Sequence, residues 1–78
     1  MQIRYFAGAA EAAGCESQEV ETAGLEVSAL VARLGEGNER LATVLSVSTL
    51  LADGVRVEGG DELSAVRQLD VLPPFAGG

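Results

Sequence analysis

The chain has 78 residues and a formal net charge of −7, and it contains neither histidine nor lysine. This length allows one domain with a modest core, and the excess of acidic residues argues against nucleic-acid binding, which needs a basic face. Cys15 is the single cysteine, which excludes an intramolecular disulfide and cysteine or histidine metal clusters. No apolar stretch approaches the roughly 18 residues of a membrane span, and no signal-peptide pattern opens the chain. We therefore expect a cytoplasmic protein without a membrane partner.

The first third of the chain predicts a strand, a short helix and a second strand. Residues 2–6 alternate polar and apolar side chains, which predicts a strand with Ile3 and Tyr5 on one face. Residues 7–13 are rich in alanine and favour a short helix. Residues 16–22 alternate weakly and fit a polar edge strand or hairpin partner.

Two helices are predicted next. The first follows from apolar residues at positions i, i+3, i+4 and i+7, which are Val27, Leu30, Val31 and Leu34. Asn38 is a suitable N-cap for the second helix. Its shared apolar face carries Leu41, Val44 and Leu45. Arg33 and Arg40 are expected on the solvent side of these helices.

The last part of the chain predicts three strands. Residues 47–51 form an apolar, β-branched run before Asp53-Gly54, a strong turn signal that predicts a hairpin with residues 55–57. Residues 68–72 predict a final strand with alternate side chains inward. The order of elements predicts an α+β domain in which helices pack on one face of a mixed sheet. We expect the first and last strands to pair at its centre.

The final six residues have a different character. Pro73 and Pro74 favour extended, pre-ordered backbone, whereas Gly77 and Gly78 lack a Cβ and allow close approach to a nucleotide or a catalytic group. In extended form, residues 73–78 would span roughly 20 Å. The sequence therefore predicts chemistry at a carboxylate on Gly78, presented to another enzyme. A frayed, inert end is the alternative.

The order of these features resembles the ubiquitin-like sulfur carriers, and most closely the small subunits of molybdopterin synthase. The resemblance rests on the strand at Met1, the helix over residues 27–34, the turn at residues 53–55 and, most specifically, the sequence Val-Leu-Pro-Pro-Phe-Ala-Gly-Gly of residues 71–78. One departure precedes the last strand, where the family usually has Gly-Asp and residues 66–67 read Val-Arg.

The resemblance implies both an architecture and a chemistry. It implies a ubiquitin-like β-grasp domain over residues 1–72 and an extended arm over residues 73–78. The carboxylate of Gly78 would be adenylated by an E1-like enzyme that uses ATP, and sulfur from another protein would convert it to a thiocarboxylate. The large subunit of molybdopterin synthase would then use this sulfur on a pyranopterin precursor during molybdenum cofactor biosynthesis. Gly77 would keep the arm slim, and the chain itself, a carrier subunit without catalysis of its own, would bind no cofactor and no metal.

Two other functions stay open. The chain could carry sulfur for thiamine or another thiolation pathway, or it could be a ubiquitin-like modifier of lysines on other proteins. The double proline favours the pterin branch among the sulfur carriers. The missing lysine argues against conjugation of the chain to itself.

The resemblance also implies an apolar docking patch at the base of the arm. The candidates are Phe6, Leu72, Pro73, Pro74 and Phe75. Ordinary core packing is an equal alternative for Phe6 and Leu72, whereas Phe75 lies past the last strand.

We interpret Cys15 and Arg56 as residues without a role in the chemistry. Cys15 has acidic Glu16 beside it and no nearby base, so we interpret it as a bystander thiol. Arg56 is expected at an outward strand position as a solvated side chain. Pairing with an acidic residue of a partner is its alternative role.

Overall fold

The computed structural model describes residues 1–74, which form five strands and three helices. In chain order these are β1 (Gln2–Tyr5), α1 (Gly8–Ala13), β2 (Ser17–Glu19), α2 (Val27–Gly35), α3 (Glu39–Val47), β3 (Thr49–Ala52), β4 (Val55–Val57) and β5 (Gln68–Leu72). The strands form one sheet in the order β2-β1-β5-β3-β4. β1 and β5 are parallel, and the other neighbouring pairs are antiparallel. The predicted mixed sheet with its first and last strands paired is therefore confirmed.

One face of the sheet forms the core together with the helices. Alternate residues of the three inner strands are buried, namely Ile3, Tyr5, Leu50, Ala52, Leu69 and Val71. Successive side chains of a strand point to opposite faces, so these residues share one side. The helices cover that side with Ala9, Val27, Leu30, Leu41 and Leu45. The opposite side of the sheet, which we call the open face, carries the remaining strand residues.

The two longer helices pack closely because of one glycine. A Cβ built on Gly35 would lie 2.8 Å from the Cβ of Ala42, so a side chain at this position would push α2 away from α3. Asn38 caps α3 as predicted, because its Oδ1 accepts a hydrogen bond from the Leu41 N–H at 3.1 Å. Its Nδ2 also donates to the Ala12 carbonyl at 2.9 Å and so ties α3 to α1. Among residues 1–74, no helix has the length and apolar character that crossing a membrane would require.

The prediction of a strand over residues 47–51 is wrong for its first two residues, Val47 and Ser48. Val47 is the last residue of α3, and β3 begins at Thr49. Helical hydrogen bonding continues to this point, with the Ser48 N–H donating to the Leu45 carbonyl at 3.3 Å and the Ser48 hydroxyl to the Val44 carbonyl at 2.7 Å. Helix contacts therefore override the β propensity of a valine that is 57% exposed.

The predicted hairpin at Asp53 is confirmed, and its turn also organises the segment before β5. Both turn residues have positive φ, 47° at Asp53 and 83° at Gly54, as a two-residue hairpin loop requires. The Asp53 carboxylate accepts hydrogen bonds from the Arg67 N–H at 3.1 Å and the Gln68 N–H at 3.0 Å. Arg67, one of the two residues that depart from the family pattern, is thus held in place by a side chain from the hairpin.

Candidate functional site

Some of the residues predicted to carry function lie within residues 1–74, and others lie outside this range. Phe75, Gly77 and Gly78 lie outside residues 1–74, and what was predicted for them stays a prediction. The described candidates are Phe6, Leu72, Pro73 and Pro74, which all lie near the end of β5.

The strand β5, after which the predicted arm begins, lies in the middle of the sheet and not at an edge. β5 has β1 on one side and β3 on the other. Leu72, its last residue, pairs with Thr49 of β3, and the Val71 carbonyl accepts a hydrogen bond from the Phe6 N–H at 3.2 Å. The base of the arm is therefore held by backbone contacts from both neighbouring strands.

Phe6 and Leu72 lie beside each other outside the core. Both are half-buried, and neither belongs to the buried cluster or to the partly buried side chains packed against it. Pro73 is half-buried and Pro74 is exposed. Core packing, the alternative role for Phe6 and Leu72, is thus not what the structure shows. Their docking role stays a prediction.

An ion pair on the open face was missed by sequence reasoning. The Arg4 guanidinium donates from Nε to Asp70 Oδ1 at 3.0 Å and from Nη2 to Asp70 Oδ2 at 3.3 Å. The same guanidinium lies over the Phe6 ring, with Cζ 5.4 Å from the ring centroid. The hydrogen bond and the charge of Asp70 raise the pKa of Arg4. Both residues occupy outward positions of their strands. Their pairing could have been predicted only with the parallel register of β1 and β5, which places Arg4 beside Asp70.

The surface beside this ion pair forms an open concavity of about 450 Å³. Phe6, Ala7 and Ala10 supply apolar atoms to it, and Arg4 and Glu16 supply charges of opposite sign. An open, mixed surface of this kind suits the side chains of another protein better than an enclosed small molecule. Within residues 1–74, no group of three or more potential metal ligands comes together.

Cys15 takes part in a small polar cluster at the sheet edge. Gln18 Oε1 accepts a hydrogen bond from the Tyr5 hydroxyl at 3.0 Å, and the Cys15 Sγ lies 3.7 Å from the same oxygen. Burial raises the pKa of Tyr5 to about 12, and the nearby Cys15 adds to this effect. The cluster joins β1 to β2 and lies on the core side of the sheet, so it supports the structural interpretation of Cys15.

Three solved structures have a fold similar to that of this chain. SAMP1 from Haloferax volcanii is 24% identical, with 99% of this chain and 97% of that chain covered and a TM-score of 0.78. A putative molybdopterin converting factor, subunit 1, from Pyrococcus furiosus is 22% identical, with 95% of each chain covered and a TM-score of 0.80. A second structure, of small archaeal modifier protein 1 from H. volcanii, is 21% identical, with 95% of each chain covered and a TM-score of 0.75. These similarities establish the ubiquitin-like β-grasp fold.

The family follows from a comparison of the sequence with family models. No curated protein sequence matches the chain significantly. The model of the ThiS family, in contrast, matches residues 3–78, which is nearly the whole chain. This match and the shared fold confirm the resemblance to the ubiquitin-like sulfur carriers. The chain belongs to the ThiS family of ubiquitin-like sulfur carriers.

Proposed function

We propose that this chain is the small subunit of a cytoplasmic molybdopterin synthase and carries sulfur on the carboxylate of Gly78. The observation that carries the proposal is the ThiS family match, which extends through Gly78. The central position of β5 supports it, because an arm that leaves the middle of the sheet has a firmly held base. The rigid domain then presents the arm to other proteins.

The chemistry begins with activation of the Gly78 carboxylate, which is itself a poor electrophile. An E1-like enzyme joins it to the α-phosphorus of ATP, which forms an acyl-adenylate and releases pyrophosphate. The terminal sulfur of a protein persulfide attacks the acyl carbon and displaces AMP. A second thiol then reduces the acyl persulfide, which releases the thiocarboxylate and leaves a disulfide on the donor side. Sulfur from the thiocarboxylate is finally transferred to a pyranopterin precursor in the large subunit of the synthase.

The chain presents the Gly78 carboxylate, and its partners supply acid–base catalysis. It contains no histidine and no lysine, so the groups most suited to proton transfer come from the activating enzyme and the large subunit. Pro73 and Pro74 limit the conformations of the arm and reduce the entropy lost on binding. Phe6 and Leu72, beside the base of the arm, supply an apolar docking surface, to which Phe75 adds in the complex.

The choice of the pterin pathway rests on the tail sequence. Pro73-Pro74 before the Gly-Gly pair is the pattern of the pterin branch, as the sequence resemblance implies. The similarity to a molybdopterin converting factor subunit agrees with it at the level of fold. The similarity to archaeal modifier proteins makes conjugation to lysines of other proteins the second candidate.

Intact mass spectrometry tests the sulfur-carrier function directly. We expect the chain, incubated with the adenylating enzyme of its own organism, ATP and a persulfide donor, to gain the mass of sulfur replacing one oxygen. Deletion of Gly78 should abolish this gain while the urea unfolding curve stays unchanged. An equal mass gain in the truncated chain would refute the proposal.

A pair of glycine variants tests the need for a slim arm. Gly77→Ala should slow thiocarboxylate formation, because a Cβ would crowd the nucleotide site. Gly60→Ala is the matched control, since a Cβ at Gly60 meets no atom within 4 Å.

The pathway is then assigned by supplying the thiocarboxylate either to the large synthase subunit with the pyranopterin precursor or to a thiazole synthase. Gly-Gly branches on lysines of cellular proteins would instead support the modifier function.

A further inference from the structure

β2 lies at one edge of the sheet and is exposed along its whole length. The Tyr5 N–H donates to the Glu16 carbonyl at 2.9 Å, immediately before β2 begins. In an antiparallel pair, residues that exchange hydrogen bonds alternate with residues that do not. The register therefore directs the N–H and C=O groups of Ser17 and Glu19 away from β1. Among residues 1–74, these two donors and two acceptors have no hydrogen-bond partner.

The other edge strand, β4, presents a shorter and better protected edge. The registers of β3 with its two neighbours leave Arg56 as the residue of β4 whose N–H and C=O groups point outward. Beyond it, the Glu58 N–H donates to Asp61 Oδ2 at 2.7 Å, and the Glu58 carbonyl accepts from the Asp61 N–H at 2.9 Å. Proteins often protect sheet edges in this way against pairing with another chain. The backbone of β2 is therefore the more available of the two edges.

Three glutamates lie beside the available groups of β2. Glu16 precedes the strand, Glu19 ends it and Glu21 lies two residues beyond. All three side chains are exposed, and the segment from residue 16 to residue 32 contains no lysine or arginine. The charge that this segment places along the edge is therefore entirely negative.

Positive groups approach this edge from other parts of the chain, and each already has a partner. The Met1 ammonium lies 3.6 Å from Glu19 Oε2, which leaves 77% of the glutamate side chain exposed. Arg4 on the neighbouring strand is held in the ion pair of the open face. Arg33 donates from Nη1 to the Glu21 carbonyl at 3.3 Å. Three exposed carboxylates thus outweigh the positive charge that is available beside β2.

We propose that β2 binds an extended, basic segment of a partner protein, which joins the sheet as an additional strand. The backbone of this segment exchanges hydrogen bonds with the N–H and C=O groups of Ser17 and Glu19. Its lysine or arginine side chains contact the carboxylates of Glu16, Glu19 and Glu21. The hydrogen bonds specify an extended conformation, and the glutamates specify the charge of the partner. This contact is independent of the Gly78 chemistry proposed above.

The same glutamates disfavour pairing of β2 with a second copy of the chain. Two copies that joined their β2 strands would bring three carboxylates from each copy together, and each copy has a net charge of −7. A basic strand reverses the sign of these contacts. The charges that oppose self-association therefore favour the basic partner.

The position of β2 keeps this contact away from the arm. β1 lies between β2 and β5, so the open edge is at least two strand spacings, roughly 10 Å, from the strand that ends at Leu72. An added strand lies one further spacing away. One protein would therefore hold the chain at β2 while another uses the arm.

Nuclear magnetic resonance of the isotope-labelled chain tests the contact with a peptide probe. The probe has eight residues, alternately lysine and valine, and is acetylated and amidated at its ends. We expect it to shift the amide signals of Ser17 and Glu19 and to slow their exchange with solvent. A peptide of the same sequence with every backbone nitrogen methylated keeps the charges and loses the donors, so it should bind about tenfold more weakly. An alternating glutamate–valine peptide should not bind.

Two double variants provide a matched test of the charges. Glu16→Gln/Glu21→Gln beside β2 and Glu36→Gln/Glu39→Gln at the helices change the net charge equally, and all four glutamates are exposed. We expect the first to weaken binding of the lysine–valine peptide about fivefold and the second to leave it near wild type. Binding to the wild-type chain should also weaken as the ionic strength rises.

A proline variant tests the backbone contact from the side of the protein. Ser17→Pro removes an outward N–H without removing a hydrogen bond of the sheet, and Ser17→Ala is its control, since it keeps this N–H. Ser17→Pro should weaken peptide binding about tenfold while its urea unfolding curve stays near that of Ser17→Ala.

Three results would overturn the proposed contact. The first is equal binding of the methylated and unmethylated peptides, and the second is an equal effect of the two double glutamine variants. The third is a molecular mass that rises with concentration through pairing of β2 strands, which would assign this edge to a second copy of the chain. None of these results bears on the Gly78 chemistry, which is tested separately by the mass of the chain.

Discussion

The two faces of the sheet are built from alternate residues of the same strands and have opposite character. On β1 and β5, Ile3 and Leu69 are fully or almost fully buried, whereas Arg4 and Asp70 on the other side form an ion pair near solvent. The side chains of the inner face are apolar because the hydrophobic effect favours their burial. Within residues 1–74, no helix packs on the open face, and its side chains contribute little to the core.

Mutations on the two faces should therefore affect different quantities, the free energy of unfolding on the inner face and partner binding on the open face. Changes on the inner face should alter the free energy of unfolding and affect activity only through the folded fraction. Changes on the open face should alter partner binding and leave the unfolding curve nearly as it is. A domain of this size has only modest stability to lose, so effects on the inner face should be easy to detect.

The largest effect is expected for Leu30→Ala in α2. Leu30 is 0% exposed, and its truncation should leave a cavity that costs roughly 2–5 kcal/mol in the free energy of unfolding. Urea unfolding followed by circular dichroism measures the loss. Leu51→Ala on the open face is the matched control and should cost clearly less, because Leu51 is only half-buried. Equal losses at the two positions would remove the distinction between the faces.

The next effect concerns the ionisation of Tyr5 on the inner face. Its pKa is raised from 10.0 to about 12, so the unfolded chain loses the phenolic proton at lower pH than the folded chain does. The stability from this group is complete below pH 10 and is lost as the pH rises toward about 12. The loss amounts to roughly 2 kcal/mol, because each tenfold change in the ionisation constant corresponds to about 1.4 kcal/mol and solvent screening reduces the total.

The composition makes this pH effect easy to isolate. Tyr5 is the single tyrosine, so an ultraviolet titration of phenolate absorbance reports this group alone. The chain has no lysine, so no lysine amine titrates in the same pH range. Tyr5→Phe should lack the loss of stability between pH 10 and about 12. A wild-type titration with its midpoint near 10 would show that Tyr5 is not protected by the core.

A smaller effect is expected at the hairpin turn between β3 and β4. Asp53→Ala should cost about 1–2 kcal/mol, because it removes the acceptors for two backbone N–H groups and places alanine at positive φ. Asp53→Asn is the control, since asparagine tolerates this φ and keeps one acceptor oxygen, and it should cost less. The difference in urea midpoint between the two variants measures the contribution of the acceptor oxygen and the φ preference that asparagine retains. An unchanged midpoint in Asp53→Ala relative to the wild type would mean that the segment before β5 holds without the Asp53 side chain.

The smallest effect on stability is expected for Arg4→Gln on the open face. Exposed ion pairs contribute little to folding, so the urea midpoint should stay near that of the wild type although a two-point ion pair is lost. A large shift of the midpoint would show that the open face is part of the folding core.

The sequence alone determined most of the fold, because its signals are local. Alternation placed Ile3 and Tyr5 inward, helical spacing placed Val27 and Leu30 in the core, and Asp53-Gly54 marked the hairpin. Each of these signals depends on side chains within a few residues of one another. The resemblance to the ubiquitin-like sulfur carriers and the placement of Phe6 and Leu72 outside the core also followed from sequence.

Only the tertiary structure decided the contacts between distant segments. The Arg4–Asp70 pair joins residues 66 positions apart, and it depends on the parallel register of β1 and β5, which no local pattern encodes. The bonds from Arg67 and Gln68 to the Asp53 carboxylate depend on the packing of the hairpin against β5 in the same way. Val47 joined the helix and not the strand, because the hydrogen bonds of the preceding helical turns outweighed the intrinsic preference of a single residue.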